Sequence, residues 1–225
     1  MNFAATTLRS IAMASLLVAG TAANALTINS AGLVANSVQA FSVAALKAFN
    51  AVGVTVTPLG NATAVAAAPG SFSFPITSIT VNSKLAITGG AASGSALEIA
   101  RDVYDEPTDS YYHSGVVVAN FNINYTTKQV LADTTVGGAT TAMMPLYNFN
   151  IATPLGLKYK FPLTITGHEI LDKLMLTPEA KAAMTAGLVL EGFETPSLNN
   201  DFGTLTQDIK VTTRKAVSTT PYVAK

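Results

Sequence analysis

From Ser71 onward the chain alternates apolar and polar residues in short runs, and a period of two leaves few folds open. Successive side chains of a strand point to opposite faces, so alternation marks strands with one face in a core and one in water. The runs are Phe72–Ile76, Ile79–Val81, Lys84–Thr88, Ala96–Ile99, Val116–Ile123, Gln129–Asp133, Met143–Asn150 and Lys160–Ile165. Gly89, Gly90 and Gly94 are expected to break the sequence of strands, and the turn Tyr125–Lys128 to join two of them as a hairpin. The stretch Arg101–Ser114 is polar and acidic, holds Pro107, and reads as an exposed loop. The tail from Gly203 to Val217 alternates less strongly and reads as an edge strand.

Two segments read as helices. Leu26–Ile28 reads as a strand, after which Asn29 or Ser30 caps a helix running to about Asn50. Val34, Val38, Phe41, Ala45, Phe49 and Val52 fall on one face of it, and Gly53 stops it. Val54–Thr57 is again strand-like, and an Ala-rich stretch from Asn61 to Gly70 leads onward. The second helix begins at Thr177-Pro178-Glu179, a capping residue, a proline where the first helical position tolerates it, and an acid at the positive helix end. It runs to about Ala186 and stops at Gly187. Many strands and two short helices predict a mainly β fold, an antiparallel sandwich or barrel-like sheet forming one domain over residues 26–225.

Ahead of that domain stands a different pattern. Arg9 is followed by the apolar run Ile11–Gly20 and then by Ala23-Asn24-Ala25, a small-x-small site. Spanning a bilayer takes about 20 apolar residues, so this run is a secretory signal peptide over residues 1–25. The expected location is the periplasm, the cell surface or the extracellular medium. No later segment has the length of a transmembrane helix, and Thr220–Lys225 carries no hydrophobic anchor.

Charge narrows the function classes. Charged residues make up 12% of the chain, and loss of Arg9 with the leader leaves 12 basic and 13 acidic residues, a net charge of −1. Such a chain lacks the electrostatic footprint of nucleic-acid binding and the polybasic patch that attracts anionic lipid. Scarce charge also favours self-association, so expected partners are other surface proteins or further copies of the chain. With no cysteine there are no disulfides and no thiol catalysis, and the core alone must hold the fold.

Few constellations carry chemistry. Tyr111-Tyr112-His113 is the richest polar-aromatic spot; a tyrosinate or a neutral imidazole there ligates iron, which marks these three as candidate ligand-binding residues. Asp102, Asp105, Glu106 and Asp109 offer oxygens suited to calcium, without the spacing of an EF-hand loop. His168-Glu169-Ile170-Leu171-Asp172 misses a zinc motif by its last residue. No nucleophile elbow, Walker loop or dinucleotide fingerprint occurs. No catalytic set emerges, so the expected function is non-enzymatic binding or assembly, with no obligatory cofactor. A polysaccharide hydrolase is the alternative among enzymes.

The order of several segments resembles that of secreted bacterial HtaA-like proteins. The segments are Ala51–Gly60, Phe72–Ile76, Ser93–Leu97, Asn120–Ile123, Leu131-Ala132, Pro145–Tyr147 and Leu176–Ala180. The resemblance covers most of residues 26–188. It implies a β-rich exported domain that binds haem on a tyrosine supported by a histidine. The family's histidine falls on Ala92, and the segment that supplies its tyrosine is replaced by that around Ala45–Asn50, so those ligand positions are not retained. Haem or another small apolar ligand remains the alternative cargo.

Expressed in a bacterium with an intact export pathway, the chain is expected to lose residues 1–25. Mass spectrometry of the exported product should read Leu26 first; an intact Met1 would refute the leader.

Overall fold

The computed structural model describes residues 25–83, 86–160 and 164–225. The leader reading lies outside these residues except for Ala25, as do the Lys84-Leu85 and Phe161–Leu163 portions of two expected strands.

The alternating runs become a single antiparallel sheet. Its strands are β1 (Leu26–Asn29), β2 (Leu33–Ala40), β3 (Thr55–Gly60), β4 (Thr63–Ala64), β5 (Ser71–Pro75), β6 (Ser78–Val81), β7 (Ile87–Asp105), β8 (Ser110–Asn124), β9 (Gln129–Val136), β10 (Ala139–Lys160), β11 (Thr164–Leu176) and β12 (Thr204–Thr213). The order across the sheet is β1-β6-β7-β8-β9-β10-β11-β12-β2-β5-β4, with β3 on a free stretch of β7. The fold is therefore mainly β, as the alternation predicts, and the sheet curls into a half-barrel. Its far members are covalent neighbours. β5 pairs with β2, and after Ile76 and Thr77 the same run of chain continues as β6 on β7. Thr77 secures the handover, its N–H donating to the Ala91 carbonyl at 2.8 Å and its own carbonyl accepting from Ser30 at 2.9 Å.

Curling needs bends, and four long strands take them at bulges. Register shifts fall in β7 between Ala92 and Ala96, in β8 between Ala119 and Asn122, and in β10 between Thr141 and Met144. β11 carries one opposite Asn148–Asn150. Gly94, Asn120, Met143 and Lys173 hold positive φ at these places, as bulged residues do when they sharpen a strand's twist. The glycines expected to end a strand instead bend one, because Gly94 supplies a backbone state that a Cβ would strain.

Two helices close the end at which β2 and β11 finish. α1 (Val43–Ala51) is capped by Ser42, whose hydroxyl accepts from the Ala45 N–H. It packs Ala45 and Phe49 into an aromatic cluster with Phe41, Phe72, Phe202 and Tyr147. α2 (Pro178–Gly187) begins, as expected, at a Thr177 cap followed by Pro178. It lays Ala180 and Met184 on the same core, against β8, β9 and β10. Close approach is built in: a Cβ on Gly187 would stand 2.3 Å from a Val116 methyl. No helix among the described residues is long and apolar enough to cross a membrane.

Three sequence expectations are corrected. The first helix does not start at Asn29 or Ser30, because Leu33–Ala40 is β2, hydrogen-bonded on both sides by β12 and β5. Val34 and Val38 fit either period, and two ladders of backbone bonds outweigh a marginal helical propensity. Gly203–Val217 is not an edge, since β12 lies between β11 and β2. Arg101–Ser114 is not an irregular loop but the end of the β7–β8 hairpin, in register from Arg101↔Ser114 to Asp105↔Ser110, with a 3-10 turn at Glu106–Thr108.

Past α2, Val189 holds φ +51°, a left-handed state that costs a β-branched residue about 1–2 kcal/mol. Val189→Gly is expected to raise the unfolding free energy by about 1 kcal/mol, seen as a later midpoint in chemical denaturation. An earlier midpoint would show that the valine side chain contributes packing that outweighs the strain.

Candidate functional site

The interior of the half-barrel is not filled along its whole length. The helix-covered end is packed solid with aliphatic and aromatic side chains, whereas toward the other end β7 lines the wall with Gly89, Gly90, Ala91 and Ala92. Side chains this small leave space, and the facing Phe74, Ile123, Val130, Leu155 and Ile209 do not reach across it. The resulting pocket contains about 690 Å³ of space including its mouth, of which about 50 Å³ admits the centre of a water molecule. The first figure counts open solvent at the mouth, so it is the second that compares with ligand sites of about 300–1,000 Å³, and it is far smaller. The second shows that the space is narrow.

Polar groups punctuate this apolar lining. β2 turns Ser37 and Gln39 inward, β11 turns Glu169 inward, and β12 turns Gln207 inward, all buried. Tyr125, just past β8, donates its hydroxyl to Glu169 Oε2. Burial, and the carboxylate beside it, hold the Tyr125 phenol well above its ordinary value. Burial likewise raises the Glu169 carboxyl, opposed by the bonds from Tyr125 and the Leu155 backbone. A second pair lies nearby, Gln39 Nε2 donating to the Tyr147 hydroxyl at 3.1 Å. Burial pushes Tyr147 up to about 12, with the Gln39 bond acting in the opposite sense. Gln207 is the exception: its Nε2 is buried with no acceptor in reach. A buried donor without a partner costs about 1–3 kcal/mol, so this amide is a place where an oxygen is wanted.

The residues singled out from sequence lie elsewhere. Tyr111, Tyr112 and His113 stand on the β7–β8 hairpin, Tyr111 being 73% exposed. Phe121, which lines the pocket, is ten residues farther along the same strand, roughly 30 Å at about 3.3 Å per residue. Tyr111 and His113 share one face of the hairpin, Tyr111 stacking on Tyr104 with ring centroids 5.3 Å apart and His113 Nδ1 lying 3.2 Å from Asp102. Tyr112 points to the opposite face, as the strand period requires. The carboxylates do not converge. Asp105 accepts from Thr108, Asp109 accepts from Tyr104, and Asp102 faces His113. Among the described residues no cluster of three or more His, Cys, Asp or Glu could hold a metal ion.

The zinc-like stretch at His168 is strand rather than helix, so its residues part company. His168 faces outward to Asp208 at 2.7 Å, and Glu169 faces inward to Tyr125. Sequence reasoning missed Gln39, Tyr125 and Gln207. The signal was present: Gln207 lies in phase with the inward Leu205 and Ile209, and Gln39 with the inward Ala35. A polar residue in the apolar phase of a strand marks a buried polar group.

No protein-family model matches the chain, and comparison with curated proteins and with solved structures returns no match.

The raised Glu169 carboxyl has a defined consequence for pH. The folded state keeps its proton to higher pH than the unfolded state does, so stability falls as pH rises from the unfolded value to the folded one. Glu169→Gln removes that loss and keeps an acceptor for Tyr125. The variant is therefore expected to gain in thermal midpoint over the wild type at neutral pH, and the gain should vanish below about pH 4. A pH-independent difference would show that Glu169 acts by packing alone.

Proposed function

We propose that this is an exported, non-enzymatic binding protein that takes a slender, mostly apolar molecule into the half-barrel, with an oxygen-bearing end against Gln207 and the Tyr125–Glu169 pair. The observation that carries this reading is the Gln207 amide, a buried donor without an acceptor on a residue that lines an apolar pocket. Apolar clefts with a few convergent polar groups are the usual form of small-molecule sites. Glu169, whose carboxyl burial raises, and the Tyr125 hydroxyl beside it offer hydrogen-bonding groups to an oxygen-bearing end such as an alcohol, ester or acid. The narrow space favours an alkyl chain or a single ring over a broad macrocycle such as haem. Export is supported by the leader pattern at residues 1–25, and the HtaA-like segment order agrees with a ligand-carrying exported domain. Glu169 is the one carboxylate among the described residues lining the pocket, whereas general acid–base hydrolysis of a glycoside uses two.

An environment-sensitive alkyl fluorophore titrated into the protein is expected to brighten and to be displaced by a long-chain alcohol or fatty acid. Haemin serves as the competing probe. Gln207→Leu should lower affinity for the oxygen-bearing ligand about tenfold, equivalent to one hydrogen bond, while making the empty protein more stable. No uptake of any alkyl probe by the folded wild type would end this reading. A Soret shift lost on Tyr112→Ala with His113→Ala would transfer the cargo to haem on the hairpin.

A further inference from the structure

The sheet carries an acidic hairpin at one end and a pair of lysines on its outer face toward the other. β9 pairs with β8 only as far as Val116, and β3 pairs with β7 only as far as Ala100, so Arg101–Asp105 and Ser110–Gly115 form a two-stranded arm with no third strand among the described residues. The arm carries Asp102, Asp105, Glu106 and Asp109. Its root Arg101 is directed away from them, to Glu194 at 2.8 Å and the Val189 carbonyl at 2.7 Å. That pairing holds Glu194 below the usual carboxylate range and fixes the arm against the end of α2. The β8–β9 turn lies at the other end of the sheet, and beyond it β10 and β11 continue together, with β12 on the far side of β11 from Thr166 to Leu171.

The outer face of this second end is basic. Lys158 on β10 and Lys210 on β12 both pair with Thr166, one from each side, which places them on adjacent strands flanking β11. At about 4.8 Å between strands they stand roughly 10 Å apart. Around them lies an open surface groove that Thr166, His168 and Asp208 also line, with Val34 beyond Lys210 on β2. Asp208 is engaged by His168 at 2.7 Å, while neither lysine enters a salt bridge among the described residues.

We propose that copies of this chain associate head to tail, the acidic β7–β8 arm of one copy seating on the basic outer groove of β10, β11 and β12 of the next. Acidic residues alone would serve to blunt an unpaired strand edge. The arm also exposes Tyr104, Tyr111 and Tyr112, at 48%, 73% and 46%, and exposed tyrosines are interface residues rather than edge protection. The two surfaces differ and face opposite ways, so the contact is heterologous and propagates into a ring or filament instead of closing as a dimer. A single hairpin buries less than a standard interface, so association on the order of micromolar is expected, weakening as salt screens the charges.

The test is sedimentation of the exported chain over a concentration series in low and in half-molar salt. Wild type should grow in mass with concentration at low salt and revert at high salt. Asp102→Lys with Asp105→Lys and Glu106→Lys makes an arm-reversed form, and Lys158→Glu with Lys210→Glu makes a groove-reversed form. Each, shown folded by circular dichroism, should stay monomeric alone, and an equimolar mixture should associate again, because each reversed surface now meets its complement. Wild type that is monomeric throughout overturns the proposal, as does association that both reversals leave intact. If one reversed form fails to fold, the salt series and the other form decide alone.

Discussion

The whole sheet depends on one side chain, that of Asn120. It sits at the β8 bulge with φ +54°, a conformation that asparagine tolerates better than most residues. Its Oδ1 accepts from the Gly94 N–H at 3.0 Å and the Tyr222 N–H at 2.8 Å, and its Nδ2 donates to Asp133 at 2.8 Å and to the Tyr222 carbonyl at 2.9 Å. Asp133 in turn accepts from the Met143 N–H at 2.9 Å. Bulges leave backbone groups without ladder partners, and partly buried groups of that kind need replacements. Asn120 and Asp133 supply them for three consecutive bulges, so the curvature of β7, β8 and β10 is set together. The extended tail is drawn into the same knot by Tyr222, with Asn61 Nδ2 holding the Ser218 carbonyl at 2.8 Å. A side chain on Gly94 would collide with that tail, its Cβ lying 2.9 Å from the Thr220 carbonyl.

Once the strands bend along that line, the interior acquires two unlike halves. Toward α1 and α2 the chain has aromatic and aliphatic bulk to fill the curve. Phe41, Phe49, Phe72 and Phe202 interlock edge to face there at 5.4–6.5 Å, geometry that adds about 0.5–1.5 kcal/mol per pair beyond burial. Toward the β8–β9 turn the bulk is missing, because β7 presents glycines and alanines while its neighbours present residues of ordinary size. The pocket thus follows from placing small residues on the concave side of one bent strand.

The β class, the β8–β9 hairpin and the second helix were legible because each rests on local chemistry: alternation, a polar turn, and the Thr177-Pro178-Glu179 cap. The first helix was legible only in its second half. In Leu33–Ala40 the residues at helical spacing, Val34 and Val38, face outward from β2, and what decides the matter is pairing with Phe74 and Thr206, far away in sequence. The arm at Arg101–Ser114 was illegible for a related reason. Its polarity is that of a loop, since a hairpin with no third strand and no core beneath it has no need of apolar residues. The pocket was hidden because a buried polar residue such as Gln207 looks in sequence like any surface glutamine until the phase of its strand is known.

Local costs in this fold are unevenly placed. Strain at Asn120 and Gly94 is repaid by hydrogen bonds visible in the structure, whereas the Gln207 amide is repaid by nothing within the protein. Leucine fills nearly the same volume without leaving a donor unsatisfied, and a barrel interior kept only for stability would favour it. The neighbouring Glu169 repeats the pattern, a carboxyl kept out of water and satisfied by Tyr125 and the Leu155 backbone where an aliphatic residue would have sufficed. Unrepaid polarity tends to gather where a structure meets something outside itself. Ser95 Oγ, Arg101 Nε and Thr134 Oγ1 are also without partners, but of these atoms only the Gln207 donor belongs to the wall beside the stretch of β7 too small to fill its share of the interior. An incomplete wall and an unanswered donor at the same place are the features on which the proposed binding of a molecule with an apolar body and an oxygen at one end rests.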